Sequence, residues 1–258
     1  ILSRLQRLIS ETNNNLEKFR FHEASNELYH FFWHEFCDWF VELAKINLNG
    51  EDPQKKHQTC RVAIYALDKS LRLLHPFIPF ITEELWQKIG KGDGMLMTSS
   101  WPTFDASLID EDAMAEMDWV VRLVTEIRSI RSEVRVPPKE AIKVAVEDAN
   151  KTTLQRMETH DAIIKTLAHL KSLSREKNIT GGTIPFVIDE ATGHVYPGDA
   201  IDATKQRAIW ADEIRSLDKE VAKIEKKLGN QQFLAKAPEE VVAEQRARLA
   251  KAKGERDK

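Results

Sequence analysis

Leu2, Leu5, Ile9, Thr12, Leu16 and Phe19 recur three and four residues apart, which predicts a first helix over residues 1–19 with one apolar seam suited to a bundle. From Arg20 to Lys45 the same spacing runs on two faces. Glu27, His30, His34, Asp38 and Glu42 form a polar stripe. Leu28, Phe32, Phe36, Trp39 or Phe40, and Leu43 lie opposite. Phe31, Phe32, Trp33, Phe36, Trp39 and Phe40 crowd one short stretch, yet charged residues interrupt it too often for a membrane span. This predicts a second helix, buried over most of its circumference and stopped at Asn47–Gly50. A third is expected over residues 54–74, with Cys60, Ile64, Leu67, Leu71 and Leu74 inward. His75-Pro76 interrupts it, and Pro79 opens a short helix through Glu83, Glu84, Leu85 and Trp86. Residues 88–105 read as loop, and a last bundle helix is expected over 110–134, turning Val120, Val124, Ile127, Ile130 and Val134 inward.

The pattern changes at Pro137-Pro138, because proline drives its predecessor out of the helical region. Ile142, Val144 and Val146 alternate as a strand, residues 153–170 return to helix, and 183–188 and 194–196 read as strands around a turn over Glu190–Gly193. Beyond residue 201 the seam is a heptad: Trp210, Ile214, Leu217, Val221, Ile224 and Leu228. Gly229-Asn230 breaks it. Pro238 opens a second helix with a weaker seam of Val242, Gln245, Leu249 and Ala252. The expected fold class is mainly α. It comprises a helical bundle over 1–138, a small α/β module over 139–200 and a C-terminal antiparallel coiled-coil hairpin over 201–258.

Composition adds three points. The net charge of −3 hides a gradient. Residues 1–118 hold 12 Lys and Arg against 19 Asp and Glu, residues 119–204 hold 12 against 12, and residues 205–258 hold 14 against 10. A polyanion would be met most readily by the C-terminal segment and by local basic stripes. Cys37 and Cys60 sit in apolar helical patterns and suggest neither a disulfide framework nor a zinc site. The chain opens on Ile1 without a signal peptide, so it is expected to begin inside a longer, cytoplasmic protein.

RFHEASNELYHFFWHEFCDWFVELAK at Arg20–Lys45, together with ILSRLQ at the start, resembles the anticodon-binding helical bundle of the valyl-tRNA synthetase family. HPFIPFITEELWQ at His75–Gln87 is similar to a motif shared by the class I valine, isoleucine, leucine and methionine enzymes. IRSIRSEVRVPPK at Ile127–Lys139 resembles the next family block. LGNQQFLAKAPEEVVAEQRARLA at Leu228–Ala250 resembles the tip and return helix of the family's C-terminal arm. The adenylate-forming signatures HIGH and KMSKS and the editing motifs are absent from this stretch. The resemblance therefore implies a monomeric segment that binds valine tRNA but is inactive alone, with no catalytic residue or cofactor of its own. Catalytic and editing domains elsewhere in the parent ligase would use ATP and magnesium to attach valine.

For the anticodon side, the resemblance and the residue chemistry together nominate Arg20, Phe21, Trp39, Arg128, Arg131, Arg135 and Lys139. Arg20 and Phe21 lie in the link between the first two helices. Trp39 either stacks on an unpaired base or belongs to the core. Arg128, Arg131 and Arg135 fall at i, i+3 and i+7, with Lys139 just beyond. They either pair phosphates or form a cationic last turn beside Glu126 and Glu133. On the arm the nominees are Lys219, Lys223, Lys226, Lys227, Phe233, Lys236, Arg246 and Arg248. The resemblance points them at the outer corner of the tRNA, where the D and T loops meet, through backbone shape and phosphate. The lysines fit a solvated coiled-coil face equally well, and Phe233 a staple for its turn.

Two other readings stand beside this one. His30, His34 and Asp38 have helical metal-ligand spacing, but that spacing also gives an ordinary hydrogen-bonded polar face, and no metal site is assigned. The coiled coil could instead make the chain a scaffold that binds partner helices.

Overall fold

The computed structural model describes residues 1–89, 94–179, 181–198, 203–229 and 239–256. These form two compact units: Ile1–Glu133 with Pro138–Pro197, and Val134–Pro137 with Gly198–Lys258.

In the first unit, α1 (Leu2–Glu17) buries Leu5, Leu8 and Ile9. It stops before Phe19, which leaves the expected seam and turns to solvent. The aromatic helix that follows is not uniform. An α-helix, α2 (Phe21–His30), passes into a π-helical segment over Phe31–Phe40 and returns to α-helix in α3 (Val41–Asn49). Closing bonds from i to i+5 widens each turn, so the buried rings of this segment are Phe31 and Phe36, five apart, rather than the expected Phe32 and Phe36. Phe32, Cys37 and Phe40 pack around them half-buried. With Leu28, Ala66, Leu73 and Leu74 these residues make the bundle core.

Asp52 accepts from the backbone N–H groups of Gln54 and Lys55, at 2.9 and 3.2 Å, and Pro53 fills the first position of α4 (Pro53–Leu74). In the first half of α4 the expected seam does not face the core: Cys60 and Ile64 are exposed, and full burial begins at Ala66. Trp86 of α5 (Pro79–Lys88) packs on Leu71 and Leu96 and donates its Nε1–H to the buried Asp68 at 3.1 Å. Leu96–Thr98, within the expected loop, and Ala106–Leu108, just after it, form single 3₁₀ turns. The bundle is completed by α6 (Glu111–Glu133), which buries Trp119, Val120, Leu123, Val124, Ile127 and Ile130. Arg4–Asp118 and Arg7–Glu111, both 2.6 Å, join α1 to this last stretch.

The α/β module is a four-stranded sheet in the order β2-β1-β4-β3. From β1 (Ile142–Glu147) the chain crosses through α7 (Lys151–Thr159) and α8 (Asp161–Ala168) to β2 (Leu170–Arg175), which pairs parallel with β1. Periodicity missed this strand, because Lys171, Ser172, Ser174 and Arg175 carry little of the apolar alternation that marks one. His169 ends α8 in the left-handed region at φ 53° and starts the strand directly. β3 (Ile184–Ile188) and β4 (Ala191–Tyr196) form a hairpin whose turn is Asp189-Glu190, with Asp189 at φ 51°. Gly193, expected in the turn, lies inside β4 under the Phe186 ring.

The sheet module is fastened to α6 by charge. Arg122 grips Asp189 with two bonds of 2.6 and 3.1 Å, and Glu116 receives Arg156 at 3.3 Å and His160 at 3.1 Å.

In the second unit, α9 (Ala203–Leu228) and α10 (Glu239–Arg256) pack together. Val221 and Ile224 of the predicted seam are buried, but Ile214 is exposed. Lys253–Glu225 at 2.7 Å and Arg248–Glu220 bridge the pair. The side chains of Trp210 and Ala252 lie outside the described residues. Among the described residues no helix is long and apolar enough to cross a membrane.

Candidate nucleic-acid interface

The link between α1 and α2 is shaped by the way α1 ends. The Phe19 N–H donates to the Leu16 carbonyl at 3.1 Å and the Arg20 N–H to the Asn15 carbonyl at 2.8 Å, the paired bonds of a Schellman cap. Such a cap places its pivot residue in the left-handed region, and Phe19 has φ 57°. Glycine suits that position; a side chain there costs roughly 1–2 kcal/mol. The Phe19 ring is 79% exposed and meets the 54%-exposed Phe21 edge to face, with centroids 6.2 Å apart. Arg20, exposed between them, is the N-cap of α2.

Trp39, from the π segment, and Arg128, from α6, are brought together. The guanidinium lies 5.5 Å from the ring centroid, and its Nε–H donates to the Leu167 carbonyl at 3.0 Å. Trp39 is half-buried and lines a cavity of about 370 Å³ with Arg4, His30, His34, Glu35 and Asp118. Arg131 is buried, donating to the carbonyls of Glu140 at 2.8 Å and His169 at 3.3 Å, and desolvation holds its guanidinium below the ordinary value. It ties the end of α6 to the residues that lead into β1 and into β2. The expected row of three arginines does not form, because α6 stops at Glu133 and Arg135 takes φ 57° beyond it. Arg135 and Lys139 are exposed, and the Lys139 carbonyl bonds the His169 ring at 3.1 Å.

The polar stripe of the aromatic helix is engaged in pairs. His34 lies 3.1 Å from Asp38, His30 lies 3.6 Å from Glu35, and Arg4 reaches Glu35 at 3.8 Å. Burial pushes the Glu35 carboxyl up despite Arg4 and His30. Among the described residues no group of three or more His, Cys, Asp or Glu side chains is placed to hold a metal ion.

On the arm, Lys219, Lys223, Lys226 and Lys227 are exposed along α9, and Arg246 is exposed on α10. Arg248 is turned to Glu220 instead of extending the lysine row. Phe233 and Lys236 lie outside the described residues.

Exposed aromatics beside cations at one place, and a lysine-rich two-helix arm at another, fit a ligand with unpaired bases and a phosphate backbone. Comparison with known proteins agrees. The family described as the anticodon-binding domain of tRNA ligase matches residues 1–146, and the valyl tRNA synthetase tRNA binding arm matches residues 202–258. The chain belongs to the anticodon-binding domain family of tRNA ligases. It is similar to the valine–tRNA ligase of Caulobacter vibrioides, 42% identical over 254 residues, covering 97% of this chain and 28% of that ligase. The Brucella suis ligase is 40% identical over 257 residues (98% and 28%), and that of Thermotoga maritima 36% over 251 (96% and 28%). The chain thus spans somewhat more than a quarter of the length of these relatives, corresponding to the C-terminal region of valine–tRNA ligases.

Within this tRNA-ligase family domain, sequence reasoning missed two exposed aromatic features. One is Phe19, which periodicity assigned to the α1 seam. The signal available was the alternation Lys18-Phe19-Arg20-Phe21-His22 with no glycine to end the helix. The other is the stack of Tyr29 on Trp33, with centroids 6.3 Å apart and planes at 9°. That stack was hidden in an aromatic run that reads as core throughout.

Proposed function

We propose that the chain is the tRNA-recognition part of a valine–tRNA ligase, an enzyme that attaches valine to its tRNA. The bundle engages the anticodon stem-loop, and the arm meets the outer corner where the D and T loops join. The observation that carries this reading is the presence of both matched regions, anticodon-binding domain and tRNA binding arm, in a single chain. Arg20, Phe21, Lys219, Lys223, Lys226, Lys227 and Arg246, all exposed, are the contacts we assign. Arg135 and Lys139 add exposed charge, whereas Arg128 and Arg131 position the fold around them. The residues present carry no adenylate-forming signature, so no step of valine activation is derived for them. ATP, magnesium and valine are assigned to other domains of the ligase, which acts as a monomer in the cytoplasm.

Fluorescence titration of valine tRNA, against an RNA of equal length and charge, tests the assignment. Valine tRNA should bind more tightly, with affinity falling steeply between roughly 50 and 200 mM salt. Equal affinity for the two RNAs at every salt concentration overturns it.

A further inference from the structure

We propose that Phe19 and Phe21 form a clamp for an unpaired RNA base, with Arg20 between them for the adjoining phosphate. This deepens the tRNA-binding reading and rests on it.

The starting observation is a residue placed against its own conformational preference. Phe19 occupies the left-handed pivot of the α1 cap, φ 57°, where the two cap bonds to Leu16 and Asn15 require the backbone turn but no side chain. Glycine or asparagine would close the same cap with less strain. The ring does not recover that cost by packing, since four-fifths of its surface is open and its aromatic neighbour Phe21 is itself half open. Neither helix termination nor core burial accounts for a phenylalanine there. A strained, solvent-facing side chain of this kind points to a ligand.

The chemistry around it selects the ligand. Lys18 and Arg20 alternate with the two rings, and the carboxylates Glu17 and Glu23 stand at the margins. The His22 ring is steadied by Asn26 at 3.1 Å, and its carbonyl accepts from Ser25 Oγ at 2.9 Å. Aromatic faces interleaved with cations suit a stacked base whose phosphate lies alongside, and stacking accepts any base. A double helix would offer no exposed base face to these rings, so the ligand is the single-stranded part of a hairpin. The link lies within residues 1–146, the stretch matched by the anticodon-binding family.

Phe19→Gly separates the clamp from the fold. Removing the strained side chain should leave thermal stability equal to or above that of the wild type, while affinity for an anticodon stem-loop hairpin falls about 10-fold or more. Phe21→Ala should weaken hairpin binding by a similar factor, and Phe19→Trp should retain or strengthen it. A hairpin carrying 2-aminopurine in its loop should show quenching with the wild type and Phe19→Trp but not with Phe19→Gly. If the wild-type chain prefers valine tRNA yet Phe19→Gly and Phe21→Ala bind the hairpin unchanged, the clamp is wrong and the broader assignment stands. If the variants lose affinity equally for a fully paired RNA of the same charge, the rings do not act on an unpaired base. If the wild type itself shows no preference for valine tRNA, both ideas fall together.

Discussion

The Arg128 guanidinium lies 5.5 Å from the centroid of the Trp39 ring, so a side chain nominated for RNA and one nominated for base stacking are occupied with each other. Because Arg128 also donates to the Leu167 carbonyl, it holds the π segment, α6 and the end of α8 at one point. Arg128→Ala should therefore cost stability, about 1 kcal/mol in urea denaturation, summing a cation–π contact and a charged hydrogen bond at a partly exposed site. Arg128→Lys should recover little, because an ammonium cannot both lie over the ring and keep the Nε bond. A variant as stable as the wild type would show that the contact contributes nothing.

Arg131 gives a sharper case. It is buried, and it donates to the backbone carbonyls of Glu140 and His169. Arg131→Met keeps most of the volume but strands both acceptors, and should lower stability by about 2–3 kcal/mol. The salt dependence of RNA binding by the folded fraction should not change, because this guanidinium faces protein. A flatter salt slope with unaltered stability would return Arg131 to the list of phosphate ligands.

A cross-strand fit governs the small sheet. A Cβ built on Gly193 falls 2.0 Å from Phe186 Cζ, so the ring occupies the space a side chain would need. Gly193→Ala should destabilise the module by about 1–3 kcal/mol through overpacking. Pairing it with Phe186→Leu should restore part of the loss; strict additivity of the two would mean that the ring moves aside freely.

What the sequence revealed and what it hid follow from the reach of each signal. Helix seams at Leu5–Ile9 and Val120–Ile127 were legible because periodic burial is a local property. The π segment was not, because the same aromatic run satisfies spacings of four and of five, and only packing against Leu5, Leu8 and Leu73 chooses between them. β2 was missed because its parallel partner lies across two helices and its own residues are mostly polar. The candidate interface divided in the same way. Arg20 and Phe21 could be placed from a link between helices, but Arg131 and Arg248 found carbonyl and carboxylate partners that no spacing rule contains.

Acid should act on Glu35 in a direction set by its burial. Desolvation raises the carboxyl above its ordinary value, so the ionised form is the less favourable one in the folded state. A raised carboxylate pKa adds stability as pH falls through the folded-state value, a gain complete below the unfolded-state value. Glu35→Gln takes up no proton. It should be at least as stable as the wild type near neutral pH, and the gap should close as the wild type is acidified toward about pH 4. Thermal melts of the two proteins across that range give the answer. A gap that widens on acidification would mean that Arg4 and His30, rather than burial, dominate the site.

The arm lysines make the last prediction, and salt rather than affinity is the decisive variable. Lys223, Lys226 and Lys227 are exposed on α9, one turn of helix apart or adjacent, while Arg248 and Lys253 are drawn off to Glu220 and Glu225. If the three lysines neutralise phosphates, reversing them to Glu should weaken binding to every tRNA alike, since such contacts carry no base information. The slope of log affinity against log salt should flatten by roughly two to three units, close to one per lost contact. Arg248→Glu is the control: facing Glu220, it should loosen the packing of α9 on α10, lowering the arm's helical signal on heating more than it changes the slope. An unchanged slope in the triple variant, with the helices intact by circular dichroism, would remove the α9 lysines from the interface and leave tRNA contact to the bundle.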